Sequence, residues 1–297
     1  MIYLVTHTDL DGIGPEVIMG TILPKDEFKV FPAEAYEVNE KVDEVINLAK
    51  EGDNLYIVDC APSADMMDIL NQLPFEKHLF DHHSPKFDTS KYSWACVDAE
   101  GRESGTSLFA NYLNYEHKEF VDLIRRWDTW EWTKTEDDLE PKRLNMLLQI
   151  LGREKFVEHC CEALNQDKPV LNEIACSLIY YKEKEIERYI ELKVKQGSLI
   201  NIDNIPCAYV MCESYKSEVA TALMKEFNVS MSAVIGTEGI SLRSIGDINV
   251  GEIAKKFGGG GRMNTAGFRI SPADKYEYIN KIFSFSNADK TQKMGII

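Results

Sequence analysis

The sequence lacks paired cysteines and long apolar runs, and each absence excludes a class of protein. The 297 residues include seven cysteines, none in a CxxC pair, and Cys160 and Cys161 are adjacent. This arrangement disfavours a zinc ribbon or disulfide scaffold and predicts a reducing, cytoplasmic location. No apolar run approaches the roughly 20 residues of a membrane-spanning helix, so no membrane association is expected. The N-terminal "MIYLVTHTDLDG" is too short an apolar run for a signal peptide and is predicted to begin the mature fold.

Blocks of basic residues are also missing. The chain has 33 Lys and Arg residues against 49 Asp and Glu residues, a formal net charge of −16. Non-specific binding of long nucleic acid depends on many Lys and Arg contacts to phosphates. The composition therefore disfavours a duplex-binding protein. It predicts that any polyanionic ligand is short, or is held by metal ions and a few local arginines.

The first third of the chain alternates strand and helix patterns. The stretches "IYLV", "NLYIVD" and "KHLF" are typical of strands, and "NEKVDEVINLAKEGD" and "ADMMDILNQL" are typical of helices. This order predicts a parallel sheet with helices on its faces. In such sheets, ligands bind at the carboxyl ends of the strands.

The remaining chain divides into a helical stretch and a second alternating region. Residues 105–195 are mostly helical in pattern and end in a long, increasingly charged helix, and strands and helices alternate again from residue 198. We therefore predict an α/β fold with a catalytic parallel-sheet domain over residues 1–165. A helical linker follows over 166–197, and a smaller α/β substrate-binding domain over 198–297. The active site is expected in the cleft between the domains.

Acidic residues and histidines follow the predicted strands. His7, Asp9 and Asp11 alternate in "THTDLDG", so in an extended segment their side chains point to one side and repel unless a cation lies among them. A polar strand end with a turn-forming Asp-Gly gives the same pattern. Asp59 follows the apolar "LYIV", where it is either a ligand or the cap of the next helix.

Two further stretches complete the set. Asp81, His82 and His83 end the third strand, and Asp128 lies between tryptophans in "RRWDTWEW", where pairing with Arg125 or Arg126 is the alternative. Carboxylates mixed with imidazoles suit Mn²⁺, and less specifically Mg²⁺ or Zn²⁺. The set is too large for one ion and predicts two ions that share a bridging carboxylate, an arrangement that hydrolyses phosphoesters.

These motifs resemble the DHH family of phosphoesterases. In order along the chain, "HTDLDG", "IVDC", "DHH" and "RRWDTW" resemble four family motifs. The C-terminal "SLRS…GEIAKKFGGGGRMNTAGF" is similar to the DHH-associated substrate-binding domain, so the resemblance covers nearly the whole chain.

The resemblance implies a role for each motif residue. One ion would be held by His7, Asp9 and Asp59. The other would be held by Asp11, Asp59, His82 and Asp128, with Asp59 as the bridge. Asp81 would orient His82, the support that a metal-bound imidazole usually has. His83 would contact the scissile phosphate or stabilise charge as it develops.

The C-terminal motif is expected to bind substrate. Glycines at positions 258–261, in particular Gly259, Gly260 and Gly261, allow close approach of the backbone to an anion. Arg243 and Arg262 suit bidentate phosphate contacts, and the family commonly has histidine where Arg262 stands. Hydrogen bonds are expected from Ser244, Asn264 and Thr265. Ser104 is most simply a helix N-cap, with a substrate contact as the alternative.

Three tryptophans flank the fourth motif. Trp127, Trp130 and Trp132 leave two alternatives, base stacking and core packing, and core packing is favoured for at least two of them.

By resemblance, the expected activity is Mn²⁺-dependent hydrolysis of short oligoribonucleotides, dinucleotides included, to mononucleotides by a monomer or homodimer. Two alternatives share the chemistry: hydrolysis of 3′-phosphoadenosine 5′-phosphate, and hydrolysis of cyclic or linear dinucleotides. A RecJ-like exonuclease on single strands is a second alternative. An inactive nucleotide-binding protein is a remote one, because every expected ligand position holds Asp or His.

Overall fold

The computed structural model describes residues 1–84, 87–135, 137–275 and 277. The chain forms two compact units, Met1–Lys182 and Glu183–Ile297, and the division falls within the long helix α8 (Glu173–Lys195). The domain limits at residues 165 and 197 and the interdomain position of the active site stay predictions. Residues 278–297 of the predicted second domain lie outside the described residues. Across the described part of the chain, no helix is long and apolar enough to cross a membrane.

The first unit is built on a five-stranded sheet. Its strands are β1 (Ile2–Thr6), β2 (Phe28–Pro32), β3 (Asn54–Val58), β4 (Glu76–Asp81) and β5 (Ala95–Val97). They pair in the order β2-β1-β3-β4-β5, all parallel. The helices that follow the first three strands and β5 are α1 (Leu10–Ile22), α2 (Val38–Leu48), α3 (Ala64–Asn71) and α4 (Gly105–Tyr112).

Two apolar clusters cover the faces of this sheet. Neighbouring strand residues face opposite sides. Tyr3 and Val5 accordingly pack with buried residues of α2 and α3, while Leu4 packs with those of α1 and α4. The predicted parallel sheet with helices on both faces is confirmed.

The strand register sets the position of the polar residues. Thr6 pairs with Val58, and Val58 pairs with Phe80. The next residues, His7, Asp59 and Asp81, therefore lie level at the carboxyl rim of the sheet.

Helix α1 and strand β2 were not predicted. Gly12, Gly14 and Pro15 lower the helix propensity of α1, but nine of its residues are buried, so tertiary packing determines its conformation. A Cβ on Gly12 would overlap the carbonyl oxygen of His7, so glycine lets the helix begin directly after β1. Asp9 is the N-cap, and Asp11 lies in the first helical turn. The prediction that residues 7–11 form one extended segment is therefore wrong.

The predicted helical region is confirmed. It contains α5 (Lys118–Asp128), a short 3₁₀ helix (Glu131–Lys134), α6 (Glu140–Leu151), α7 (Arg153–Leu164) and α8.

The second unit is a six-stranded mixed sheet. Its strands are β6 (Ser198–Ile202), β7 (Ile205–Met211), β8 (Met231–Ile235), β9 (Gly239–Ser244), β10 (Gly260–Arg262) and β11 (Thr265–Arg269), in the order β10-β11-β9-β8-β7-β6. Helices α9 (Lys216–Glu226) and α10 (Val250–Lys255) pack in separate apolar clusters, with Val234 and Ala233 respectively, so they cover opposite faces. Part of the glycine run forms strand β10, not a loop.

Candidate metal centre

All six predicted metal ligands meet at the carboxyl rim of the first sheet. His7, Asp59 and His82 follow the ends of β1, β3 and β4. Asp9 is the N-cap of α1, Asp11 lies in its first turn, and Asp128 is the last residue of α5. Among the described residues, three groups have ligand atoms within 4.8 Å of one another: His7, Asp9 and Asp59; Asp11, His82 and Asp128; and Asp59, Asp81, His82 and His83.

Asp59 faces two of these groups at once. Its Oδ2 lies 3.6 Å from His7 Nδ1, which is 3.0 Å from Asp9 Oδ2. Its Oδ1 lies 3.3 Å from His82 Nε2. That same nitrogen is 3.1 Å from Asp128 Oδ2 and 4.0 Å from Asp11 Oδ2. The Asp59 carboxylate thus lies between a His7 group and a His82 group.

The facing atoms are buried and lack hydrogen-bond partners. The side chains of Asp11 and Asp59 are 0% and 1% exposed. Five atoms that face one another have no partner: His7 Nδ1, Asp59 Oδ1 and Oδ2, His82 Nε2 and Asp128 Oδ2. Leaving a buried polar atom unpaired costs about 1–3 kcal/mol. Such a cluster of oxygen and imidazole ligands fits divalent cations such as Mn²⁺ or Mg²⁺.

The electrostatics of the cluster also favour a cation. Burial, with the charges of Asp59 and Asp128, raises the pKa of Asp11 well above its usual range. Burial likewise raises the pKa of Asp128 to about 6. Burial opposes a charge on His82, but the neighbouring carboxylates outweigh it and raise its pKa to about 9. Asp59 and Asp9 raise the pKa of His7 to about 10. The carboxylates of this cluster therefore favour positive charge at its centre.

Helix α4 holds Asp11 through backbone amides. Gly105 N donates to Asp11 Oδ2 at 2.7 Å, and Thr106 N donates to Asp11 Oδ1 at 3.0 Å. A Cβ on Gly105 would lie 2.8 Å from the Cβ of Asp59, so only glycine fits between the two acids. Ser104 is the fully buried N-cap of α4 and accepts from Ser107 N. Gly105 and Thr106 were not predicted as site residues, although they follow this N-cap.

Asp59 has an unusual backbone conformation. Its φ of 61° lies in the left-handed region, which costs a non-glycine residue about 1–3 kcal/mol and often marks a functional site. Its amide donates to Phe80 O at 2.8 Å. Asp59 does not cap the next helix, because Ser63 is the N-cap of α3.

The contacts of Asp81 differ from the expected ones. Asp81 Oδ1 lies 2.8 Å from Nδ1 of His83 and accepts from the backbone amides of His82 and His83. The expectation that Asp81 orients the His82 ring is wrong. The chain turns after β4, so the imidazole that contacts the Asp81 carboxylate is that of His83. This contact raises the pKa of His83.

Asp128 is free of the two arginines that precede it. Arg125 pairs with Asp122 and Glu131, and Arg126 pairs with Asp122 and Asp138. The alternative of a core ion pair for Asp128 is wrong.

Glu34 was not predicted to contact His7, because strand β2, which Glu34 follows, was not predicted. It lies just beyond that strand, with Oε2 at 3.7 Å from His7 Nε2 and Oε1 accepting from Thr8 Oγ1 at 2.5 Å. It faces the side of the imidazole opposite the cluster.

In the second unit, three of the predicted substrate-binding residues lie side by side. Thr265 on β11 pairs with Arg262 on β10 and with Arg243 on β9. Directly paired side chains point to the same face of a sheet. Arg243 also donates to Ser217 Oγ at 3.0 Å. The two arginines therefore flank Thr265 on one face.

Other residues predicted here have structural contacts. Ser244 is buried and donates to Ile248 O at 2.7 Å, and Asn264 O accepts from Ser244 N. The amide of Gly259 donates to Ala254 O at the end of α10. A Cβ on Gly259 or Gly261 would overlap β11, so these glycines permit close strand packing. The expectation that the Gly259 amide is available to an anion is wrong, and Gly260 pairs with Gly267 within the sheet.

The fold and the comparisons with known proteins define a phosphoesterase. A DHHA1 domain model matches residues 215–287. Oligoribonuclease NrnB of Bacillus subtilis (strain 168) is 30% identical to this chain in an alignment 294 positions long, which covers 91% of this chain and 73% of that protein. The chain belongs to the DHH family of phosphoesterases.

Two solved structures share the fold. The pGpG-specific phosphodiesterase PggH of Vibrio cholerae matches with a TM-score of 0.56 and 13% identity, covering 95% of this chain and 97% of that one. RecJ of Thermus thermophilus in complex with Mn²⁺ matches with a TM-score of 0.51 and 14% identity, covering 96% of this chain and 52% of that one.

Proposed function

We propose that this phosphoesterase is a two-metal phosphodiesterase that hydrolyses short oligoribonucleotides, dinucleotides included, to mononucleotides. The position of Asp59 is the observation that supports it most. Each of its two carboxylate oxygens faces a different group of ligand-type side chains, and both oxygens are buried without a hydrogen-bond partner.

The residues divide into two ligand sets. His7, Asp9 and Asp59 would hold one ion, and Asp11, Asp59, His82 and Asp128 the other. We propose Mn²⁺ as the preferred ion, with Mg²⁺ or another divalent ion as a substitute, because the sets mix carboxylates with imidazoles. When bound, two divalent ions would lower the pKa of a water molecule and neutralise negative charge on phosphoryl oxygens.

His83 is proposed to bind the scissile phosphate. Its side chain is 63% exposed, unlike that of His82, while Nδ1 is fixed by the buried carboxylate of Asp81. This contact orients the ring and raises the pKa of His83. In the protonated imidazolium, Nε2 is a donor for a phosphate oxygen. Asp81 is therefore a positioning residue for His83.

A short RNA is the proposed substrate for two reasons. A net charge of −16 disfavours binding of a long polyanion. The relative at 30% identity is an oligoribonuclease. In the second unit, Arg243, Arg262 and Thr265 are proposed to bind a phosphate of that substrate. We also propose a cytoplasmic location, since all seven cysteines are free.

A Mn²⁺-supplemented substrate panel tests the proposal. It contains a ribodinucleotide, a five-nucleotide RNA, a long single-stranded DNA, 3′-phosphoadenosine 5′-phosphate and a cyclic dinucleotide. The highest kcat/KM is expected for the two short RNAs. Fastest turnover of the long DNA would support a RecJ-like exonuclease instead, and fastest turnover of either of the last two compounds would support the corresponding alternative. Asp26→Asn, at an exposed loop position, is the matched control for substitutions of the buried acids.

A further inference from the structure

Three tryptophans form a stack at the end of helix α5: Trp127 is in its last turn, and Trp130 and Trp132 follow it. The rings of Trp127 and Trp132 have centroids 5.3 Å apart and an interplanar angle of 16°. Those of Trp130 and Trp132 are 6.5 Å apart at 24°. Trp132 is thus the middle ring, and Trp130 is an outer ring that is 68% exposed. None of the three is buried, so the core-packing alternative is wrong.

The stack is held in place by its surroundings. Arg125 Nη1 binds Glu131 Oε2 at 2.6 Å and so ties the end of α5 to the segment between Trp130 and Trp132. Thr133 Oγ1 donates to Trp130 O at 2.7 Å, and Trp130 N donates to Trp127 O at 3.2 Å. These contacts fix the turn before any ligand arrives, which lowers the entropic cost of binding.

Trp130 itself has a strained backbone. Its φ of 58° and ψ of 18° lie in the left-handed region, which is unfavourable for a bulky side chain. Strain of this kind persists only where the surrounding structure imposes it, and it concentrates at functional sites. Because the Trp130 side chain is mostly exposed, burial of the indole does not account for the strained backbone, and another explanation is required.

The stack adjoins the metal centre in the chain. Trp127 precedes Asp128, and Trp130 lies two residues beyond it, so its Cα is within about 7.6 Å of the Asp128 Cα along the chain. Asp128 Oδ2 faces His82 Nε2 in the metal centre. The backbone thus places the stack beside a predicted metal ligand, a spacing that suits a base attached to a phosphate bound at the centre.

The charge of the protein favours aromatic contacts with such a ligand. A chain of net charge −16 gains little from general attraction to a polyanion. Stacking of a base on an aromatic ring contributes about 1–3 kcal/mol and tolerates any base. Arg125 and Arg126 next to the stack are already paired with carboxylates, so their charges are largely neutralised.

We propose that the stack of Trp127, Trp132 and Trp130 is a nucleobase platform, on which a base next to the scissile phosphate lies against the outer indole of Trp130. This inference rests on the proposed hydrolysis of short RNA and adds the residue that binds the base. With this platform, KM should be lower for a substrate that carries the stacked base than for one that lacks it. KM should differ little between the four bases.

The test compares an intact ribodinucleotide with two abasic analogues, each lacking one of the two bases, for the wild type, Trp130→Gly and Trp130→Phe. Glycine accepts the left-handed backbone, so Trp130→Gly removes the ring without added strain. We expect Trp130→Gly to raise KM for the intact dinucleotide about 5- to 150-fold with a nearly unchanged kcat. For the analogue lacking the stacked base, the wild type and Trp130→Gly should have the same KM. Trp130→Phe should restore most of the affinity.

The controls separate the possible failures. Tyr181→Ala removes another exposed aromatic ring of the same unit, on α8, and should leave all kinetic constants unchanged. If wild-type protein hydrolyses no short RNA, the proposed function is wrong. If it does so and Trp130→Gly keeps the wild-type KM for the intact dinucleotide, the platform is wrong while the function stands. An equal loss on the intact and both abasic substrates would also contradict the platform, since it indicates a general structural defect.

Discussion

The rim of the first sheet and the β9–β11 face of the second differ in how their polar atoms are satisfied. At the rim, the carboxylate oxygens of Asp59 and Nε2 of His82 are buried atoms that face each other without hydrogen-bond partners. On the second sheet, Arg262 and Thr265 are exposed, and Ser244 beside them is satisfied by Ile248 O. The first region has the form of an open cation site, whereas Ser244 in the second has its hydrogen bond within the sheet domain.

This difference separates two kinds of site residue. A ligand cluster without alternative partners commits its residues to one role, so substitution there should abolish activity. On a surface built from strand residues, some side chains stabilise the sheet and others are available to bind a phosphate. Substitution to alanine on this surface should therefore change substrate binding at some positions and stability at neighbouring ones.

The largest expected effect comes from Asp59. Asp59→Asn keeps the shape but removes the charge shared by both ligand groups. We expect kcat/KM on a ribodinucleotide to fall on the order of 10³-fold or more, since one preorganised electrostatic contact is worth about 10²–10³-fold. The Asp26→Asn control should keep wild-type activity. Activity within tenfold of wild type in Asp59→Asn would show that the bridge is not needed.

A smaller loss is expected from Gly105, which is not itself a predicted metal ligand but contacts two of them, Asp11 and Asp59. In Gly105→Ala the new methyl group lies 2.8 Å from Asp59 Cβ and 2.9 Å from Asp59 N, so Asp59 or the α4 amides that hold Asp11 must shift. A misplacement of about 1 Å costs about 10²-fold in rate. The measurement is kcat at saturating Mn²⁺, with circular dichroism to confirm folding. An unchanged kcat would mean that the close approach of α4 has no catalytic importance.

The third prediction concerns the second sheet. Arg262→Ala removes an exposed guanidinium from the face shared with Thr265 and Arg243. A charge-assisted hydrogen bond is worth about 1.5–3 kcal/mol, so KM for a dinucleotide should rise about 10- to 100-fold with little change in melting temperature. Arg262→Lys should recover only part of this affinity, because lysine lacks the bidentate fork. A KM equal to that of wild type in Arg262→Ala would exclude this face from substrate binding.

The smallest effect should come from its buried neighbour. Ser244→Ala leaves the carbonyl of Ile248 without this donor, so unfolding should become easier by about 1–3 kcal/mol. The steady-state constants of the folded enzyme should stay at wild-type values. Thermal denaturation together with kinetics checks both statements. A raised KM with unchanged stability would reverse the assignment and make Ser244 a substrate contact.

Much of the rim could be predicted from the sequence. Parallel strands end at one edge, and the pattern of "IYLV", "NLYIVD" and "KHLF" was sufficient to bring His7, Asp59 and His82 together. The start of α1 could not be predicted in this way, because its glycines and proline give it a low helix propensity and the helix is stabilised by burial instead. Asp11 therefore reaches the His82 group from a helical turn and not from an extended segment.

The remaining misses depend on contacts that are distant in sequence or on local backbone geometry. Whether Asp81 meets His82 or His83 is decided by the turn after β4. The role of Gly259 and Gly261 depends on how closely β10 packs against β11, which a run of four glycines does not specify. The exposure of the tryptophans depends on where α5 ends, at Asp128, and on the ion pair between Arg125 and Glu131.

The bridge at Asp59 is tested most directly by a crystal structure of the Mn²⁺-loaded protein with anomalous scattering data collected at the manganese edge. We predict two anomalous peaks, one on each side of the Asp59 carboxylate. One peak should be in contact with His7 and Asp9, and the other with Asp11, His82 and Asp128. A single peak, or two peaks of which one does not contact Asp59, would contradict the account.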